Sequence, residues 1–145
     1  MKSNIMPLIA AGCLFLVGCA TTQQFVPLPD QTQTVEDSTK GRIYVMRPAS
    51  IGTAISMDVS DAGRIIGSTG PRGFICWERE PGDTAITSKA ENTSAVSLPV
   101  KAGQAHYIFQ HLRMGWVIAR NELEIVSEED GKKVLKKCKP PKLLK

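Results

Sequence analysis

Cys19 is preceded by Leu16-Val17-Gly18, and these residue types in this order allow a specific covalent modification. A cysteine thiolate is a nucleophile, so the Cys19 side chain can be alkylated with diacylglycerol. Small residues beside it give processing enzymes access to the backbone. The chain is then cut before Cys19 and the new amine is acylated, with palmitate as the expected chain. The motif therefore predicts that Cys19 is lipidated.

The residues before Cys19 predict a signal peptide over residues 1–18, removed on maturation. Lys2 supplies a positive start, and residues 5–17 are almost entirely apolar. This run is too short for a membrane-spanning helix, which needs about 20 residues. Cys13 is a second candidate for lipidation, but the apolar run before it is shorter still. A short buried N-terminal helix is disfavoured by the polar stretch that follows. These features together match the lipobox and signal peptide of bacterial lipoproteins.

The sequence after the motif predicts a tether followed by one domain. Cleavage leaves 127 of the 145 residues, enough for a single modest core. Ala20, rather than Asp, directly after the modified cysteine favours transfer to the outer membrane, facing the periplasm. Residues 19–40 are rich in Thr, Gln, Pro and Asp and have no sustained period. We therefore predict a lipidated N-terminus and a flexible tether over 19–40.

From Gly41 onward, short β-prone runs alternate with turn residues, which is typical of an all-β sandwich or barrel. We predict a small antiparallel β-sandwich of about seven to nine short strands over residues 41–138, and a basic tail over 139–145. Glu129-Asp130-Gly131 and Asp61-Ala62-Gly63 predict hairpin turns, and the glycine-rich stretch 67–73 predicts a flexible loop. No stretch has a helical period. The predicted strands are residues 41–48, 56–60, 64–68, 73–77, 84–89, 95–100, 104–112, 123–127 and 133–136.

Two cysteines remain once Cys13 is removed and Cys19 is modified. Cys76 and Cys138 form an even pair in a compartment that permits disulfides, so we predict a bond between them. It would close a loop of about 60 residues and hold the C-terminal tail against the domain. The alternatives are two separate thiols, or a pair without the further ligands that zinc requires.

The other residues with chemical potential are few. His106 and His111 lie five positions apart in one predicted strand, so their side chains point to opposite faces and cannot share a metal. Glu78, Glu80 and Asp83 could form a carboxylate cluster for acid–base chemistry or calcium. A solvated strand end is the commoner explanation of that pattern. We predict no metal, no cofactor and no catalytic residue.

Charge is unevenly distributed along the chain. The last 14 residues hold seven lysines and no acid, and the remainder of the mature chain carries an excess of acids. Such a tail can bind anionic lipid head groups or stay solvated. Nucleic acid is an unsuitable partner, because the tail lacks interleaved aromatic residues.

The order of these runs resembles the bacterial domain-of-unknown-function family 2846, which occurs in envelope lipoproteins. The residues that carry the resemblance are strand and turn signatures spread over about 41–136. They are Gly41–Pro48, Val59–Gly67, Gly73-Phe74, Pro81-Gly82, Leu98–Gln104, Tyr107, Met114-Gly115-Trp116 and Gly131-Lys132. Ala62 departs from the family's direct Asp/Asn-Gly hairpin and implies a longer turn or a bulge. The resemblance implies a periplasm-facing β lipoprotein and supplies no catalytic residue.

Together these patterns predict a non-enzymatic accessory or binding module of the bacterial envelope, attached to the membrane by its N-terminal lipid. Its expected partner is another envelope protein. Aromatic residues are favoured binding anchors, so the predicted contact surface consists of Tyr107, Phe109, Met114 and Trp116. The alternatives are a small periplasmic hydrolase that uses the carboxylate cluster, and a purely structural or stress protein of the envelope.

Overall fold

The computed structural model describes residues 18–114 and 119–144, so most of the predicted signal peptide and Trp116 lie outside the described residues. Ten strands and one helix form in this part of the chain. They are β1 Gln23–Gln24, β2 Gly41–Met46, β3 Met57–Asp61, β4 Arg64–Thr69, β5 Phe74–Arg79, β6 Gly82–Lys89, β7 Thr93–Val100, β8 Ala105–Met114, β9 Ala119–Val126, α1 Glu128–Leu135 and β10 Lys142–Leu143. No helix in these ranges is both long enough and apolar enough to cross a membrane.

Two sheets pack face to face, which confirms the predicted all-β sandwich. The larger sheet has the strand order β10-β1-β4-β3-β6-β7, and the smaller has the order β5-β2-β8-β9. Strands β3 and β6 alternate buried and exposed residues, as expected when one sheet face meets the core. Strand β2 is buried along its whole length and lies between β5 and β8, as its apolar sequence predicts.

Two strand pairings depart from the predicted antiparallel arrangement. Strand β2 pairs in parallel with β8, and β1 pairs in parallel with β10. Parallel neighbours require long connections between them. The chain between β2 and β8 crosses into the larger sheet and returns, so β8 re-enters beside β2 in the same direction.

The core consists of two main clusters on the two faces of the smaller sheet and a small third cluster around Met57 and Leu112. The cluster between the sheets includes Ile43, Val45, Trp77 and Ile108. The second lies on the outer face of the smaller sheet, where the rings of Tyr44 and Tyr107 stack with centroids 5.2 Å apart. Helix α1 covers this second cluster.

The predicted hairpin around Glu129-Asp130-Gly131 is wrong, because these residues lie in helix α1. Ser127 is its N-cap: the Ser127 Oγ accepts a hydrogen bond from the Asp130 amide at 3.1 Å and donates one to the Asp130 carboxylate at 2.8 Å. Ser127 is thus a helix-start signal that the Asp-Gly pair obscured. Gly131 serves close packing instead of a turn.

We expect Gly131→Ala to destabilise the protein by about 1–3 kcal/mol, the usual cost of overpacking. A Cβ at position 131 would overlap the Tyr107 side chain. Alanine favours helices over glycine, so a stabilising effect would contradict this packing role. The measurement is the free energy of unfolding by chemical denaturation. Glu129→Ala, an exposed change in the same helix, is the control and should have little effect.

The prediction of a flexible tether over residues 19–40 is also wrong for the part after Ala20. Thr22, Gln24 and Val26 are buried, and β1 adds to the edge of β4. The Gln24 side chain donates to the Cys76 carbonyl at 2.8 Å and accepts from the Cys76 amide at 2.9 Å. It therefore satisfies backbone groups on the outer edge of strand β5, a position that proteins must cover. Residues 20–40 form a strap, and we use this name for them below.

The glycine-rich stretch 67–73 is the surface on which the strap lies, so the prediction of a flexible loop is wrong there. Residues 67–69 belong to β4. A Cβ at Gly67 would overlap the Gln23 carbonyl, one at Gly70 the Ala20 carbonyl, and one at Gly73 the Thr22 hydroxyl. These three glycines share the close approach of the strap, which leaves no room for a side chain at their positions.

The hairpin at Asp61 has a two-residue turn in which both Ala62 and Gly63 have positive φ, 48° and 83°. Asp61 pairs directly with Arg64, and the register shifts between Val59 and Ser60. The bulge implied by Ala62 therefore lies within the strands, and the turn itself is not lengthened.

The predicted disulfide is wrong, since Cys76 and Cys138 are both free thiols. Lys139, the neighbour of Cys138, forms a parallel β-bridge with Gly73. Gly73 lies three residues before Cys76 in the sequence. That separation is about 10 Å at 3.3 Å per residue, beyond the Cα distance that a disulfide allows. Burial raises the pKa of Cys76 to about 12 and that of Cys138 to about 11, so neither is a nucleophile at neutral pH.

Candidate functional site

Cys19 is exposed at one end of the sandwich, directly beside the folded domain. The Ala20 amide donates to the Thr53 carbonyl at 2.7 Å. The Thr22 hydroxyl is buried and accepts from the Gly70 amide at 2.9 Å. The residue directly after the predicted lipidation site therefore already makes a backbone contact with the domain.

Three further segments meet at this end of the sandwich. They are the loop after β2 (residues 47–56), the turn after β4 (70–73) and the residues before and in β10 (139–142). We call these segments, together with residues 19–22, the anchor end. They enclose a cavity of about 510 Å³ beside Cys19.

The cavity is lined by three cations, by hydroxyls and by the apolar residues Ala20, Pro71 and Pro140. The cations are Arg72, Lys139 and Lys142, and the hydroxyls include Thr21, Ser50 and Thr53. Within the described ranges, no acidic residue lines the cavity and no ion pair involves these three cations. The cavity is thus suited to an anionic group, such as a phosphate.

Arg47 fixes the loop that forms one wall of the anchor end. Its guanidinium is fully buried and donates to the carbonyls of Ile51 at 2.9 Å, Gly52 at 2.8 Å and Ile55 at 2.5 Å. Gly52 adopts a φ of 66°, and a Cβ there would overlap Leu112 of β8. One buried cation therefore orders this loop through backbone carbonyls and adds positive charge near the cavity.

Glu78, Glu80 and Asp83 do not form the carboxylate cluster that the hydrolase alternative requires. Glu78 accepts from the buried Arg42, at 3.0 Å from Nε and 2.8 Å from Nη2, and from the amides of Glu36 and Asp37 at 2.6 and 3.1 Å. Burial alone would raise the pKa of Glu78, but the Glu36 amide and Arg42 outweigh it and lower the pKa. Glu78 thus ties the strap to β5 and is not free to act as a base.

Asp83 lies apart from Glu78, on strand β6 of the larger sheet, and Glu80 is exposed before that strand. No group of three or more metal-ligating side chains occurs among the residues that the structure describes.

The two histidines lie on opposite faces of β8, as predicted. His106 accepts from the Lys101 amide at 3.0 Å, and burial lowers its pKa. His111 is 2.7 Å from the Glu124 carboxylate on the neighbouring strand. Each has a local structural partner.

The described residues of the predicted contact surface do not form one exposed surface. Tyr107 is buried beneath helix α1, so it is part of the core. Phe109 is half-buried with its ring edge-on to His111, at a centroid distance of 5.9 Å. Met114 is 66% exposed at the end of β8, and Trp116 lies outside the described residues. Met114 is the member that the structure leaves accessible.

Sequence reasoning missed the pairing of the strap with the body of the domain. Gln24 and Arg42 are polar, yet both are fully buried and act over long sequence separations. The spacing of Gly67, Gly70 and Gly73 at every third position was the available signal, since glycine permits a second backbone to approach.

Comparison with known proteins gives one informative similarity. A Haemophilus influenzae protein described as an uncharacterized protein is 29% identical over 133 residues, covering 86% of this chain and 76% of that protein. No protein family model matches the chain. The resemblance to domain-of-unknown-function family 2846 therefore stays a prediction.

Proposed function

We propose that this chain is a bacterial envelope lipoprotein whose β-sandwich is held directly at the membrane surface by lipid on Cys19. It acts there as a non-enzymatic accessory or binding module, on the outer membrane and facing the periplasm. The observation that carries the proposal is the Leu16-Val17-Gly18-Cys19 motif ending one residue before the fold's first backbone contact, at Ala20.

The position of Cys19 supports this proposal. Its side chain is exposed, as a modified thiol must be, while the residues directly after it are tightly packed. Cleavage before Cys19 would leave the strap and its contacts intact. Several acyl chains on one residue give stable anchoring where a single chain is marginal.

The absence of an assembled reactive group among the described residues favours a binding role over hydrolysis. Glu78 is neutralised by Arg42, and Cys76 and Cys138 are protonated at neutral pH. Exposed Met114, at the end of β8, is the remaining candidate for contact with an envelope partner beside the membrane.

We expect Cys19→Ala to abolish membrane attachment. Wild-type protein should sediment with membranes and stay there after a high-salt wash, since acyl chains are not displaced by salt. The variant should lose the salt-resistant membrane fraction almost entirely, by at least about tenfold. The measurement is envelope fractionation with immunoblotting.

Cys13→Ala is the matched control, because it removes the alternative lipidation site within the predicted signal peptide. Its salt-resistant membrane fraction should equal that of wild type. Loss of anchoring in Cys13→Ala with retention in Cys19→Ala would contradict the proposal.

A further inference from the structure

We propose that the anchor end lies flat on the membrane and that its cavity binds the phosphate of anionic lipid head groups. This inference rests on the proposed lipidation of Cys19 and adds the orientation of the domain and the class of lipid. Its occupant is the lipid surface itself, not a soluble ligand or a protein.

The strand directions place the anchor end at one end of the sandwich. Met46 and Phe74 pair with each other, so the loop after β2 and the turn before β5 lie at the same end. The end of β8 lies there as well, since Gly52 contacts Leu112. Exposed Ile51 and Met114 therefore lie near the lipidation site, at 50% and 66% exposure.

The charged groups at the two ends of the sandwich differ in their pairing. Arg72, Lys139 and Lys142 line the cavity beside Cys19, and none of them makes an ion pair among the described residues. At the far end, around the start of β2, acids are mixed with cations and form the pairs Asp37–Lys40, Glu78–Arg42 and Asp61–Arg79. Glu91 and Glu122 lie towards the anchor end but outside the cavity, and Glu122 is paired with Arg113. A negatively charged surface would therefore attract the anchor end through three cations that make no ion pair in the described structure.

The cavity offers the chemistry that a lipid phosphate needs. Its arginine can donate two parallel hydrogen bonds, its lysines supply point charges, and its threonine and serine hydroxyls can donate as well. Cys19 cannot move far from the cavity, because the strap residues after it are hydrogen-bonded to the domain: Ala20 to Thr53, and Thr22 to Gly70. Acyl chains on Cys19 would hold this cavity at head-group depth.

Lysine acetylation of the mature, lipidated protein tests the orientation. The protein is reconstituted in vesicles that contain one-quarter phosphatidylglycerol and, in parallel, kept in detergent micelles. Lys139 and Lys142 should react several-fold more slowly in the vesicles, since each cation near an anionic surface gains roughly a fivefold preference for it. Lys101 is the internal control: it is exposed at the far end, about 20 Å along β2, and should react equally in both.

The lipid class is tested with phosphatidylcholine vesicles and a charge variant. Protection of Lys139 should weaken in phosphatidylcholine, at high salt, and in an Arg72→Gln/Lys142→Gln variant. An Arg64→Gln/Lys101→Gln variant, which changes one exposed arginine and one exposed lysine at the far end, has the same net charge and should keep the protection. Equal reactivity of Lys139 and Lys101 in anionic vesicles would overturn this inference.

That failure is distinct from failure of the proposed function. If Cys19 carries no lipid, the protein will not float with vesicles at all. If it floats with unprotected Lys139, the anchor holds but the orientation is wrong. Protection seen only in intact cells would assign the anchor end to a protein partner and would equally refute the lipid inference.

Discussion

Arg42→Ala is expected to lower the free energy of unfolding by about 3–5 kcal/mol, because it leaves the Glu78 carboxylate largely buried without its cation. The Arg42 side chain is fully buried and that of Glu78 is 10% exposed, at 2.8 Å. Arg42 also donates to the Gln33 carbonyl at 2.7 Å, so its loss releases the strap as well. Chemical denaturation of the mature chain measures the effect.

The control is Arg113→Ala, which removes an arginine from an ion pair with Glu122 at a similar distance, 2.6 Å. That pair is 71% and 56% exposed, and exposed pairs are worth at most about 1 kcal/mol. Similar losses in the two variants would show that burial of the Arg42–Glu78 pair has no special importance.

The Arg42–Glu78 pair also predicts that the free energy of unfolding falls at acid pH. The folded pKa of Glu78 lies below its ordinary value of 4.5. Its contribution is therefore fully present above pH 4.5 and is lost as the pH falls through the folded value. In Glu78→Gln, this part of the pH dependence should disappear, so the difference from wild type should shrink below pH 4.5. A difference that is constant with pH would contradict the assignment.

Gln24→Ala is expected to cost about 2–5 kcal/mol, since it leaves two buried groups of Cys76, the amide and the carbonyl, without partners. The Gln24 amide group also donates to the Val26 and Pro27 carbonyls, at 3.1 Å each. The variant should therefore loosen the strap before the sandwich unfolds. Hydrogen exchange should show faster exchange of the Cys76 amide together with residues 22–29.

Gln23→Ala is the matched control for Gln24, because it changes the neighbouring, half-buried residue of the same strand. It should change stability by about 0.5 kcal/mol or less. An equal loss in both variants would mean that strand β1, and not the Gln24 side chain, holds the strap.

The sequence predicts the sandwich because its strands are short and bounded by turn residues. The alternation in β3 and β6 and the largely apolar sequence of β2 are local signals, and the structure confirms all three. The parallel pairing of β2 with β8 depends on how the chain crosses between the sheets, which no local pattern records.

Prediction from the sequence fails where a buried polar side chain stabilises the fold through contacts that no local pattern indicates. Gln24, Arg42 and Arg47 are completely buried, and their partners are mostly backbone groups or residues far along the chain. The neighbourhood of Gln24 has the composition of a solvated loop, so the strap was predicted as a tether, and the predicted strand 41–48 gives no local sign of the contacts that Arg42 and Arg47 make. Composition alone does not separate a free coil from a segment that uses its polar groups to cover a sheet edge.

Two other errors have a common origin, which is that one residue type serves several purposes. Gly131 suits a hairpin turn, but here it allows α1 to approach Tyr107. Tyr107 suits a binding surface, but here it stacks on Tyr44 in the core.

The most direct test of the central claim is the mass of the N-terminal peptide of the mature protein purified from membranes. The account predicts a peptide that begins at Cys19 and carries a diacylglycerol on Sγ and a further acyl chain on its amine. A peptide that extends upstream of Cys19, or one with an unmodified Cys19 thiol, would contradict it.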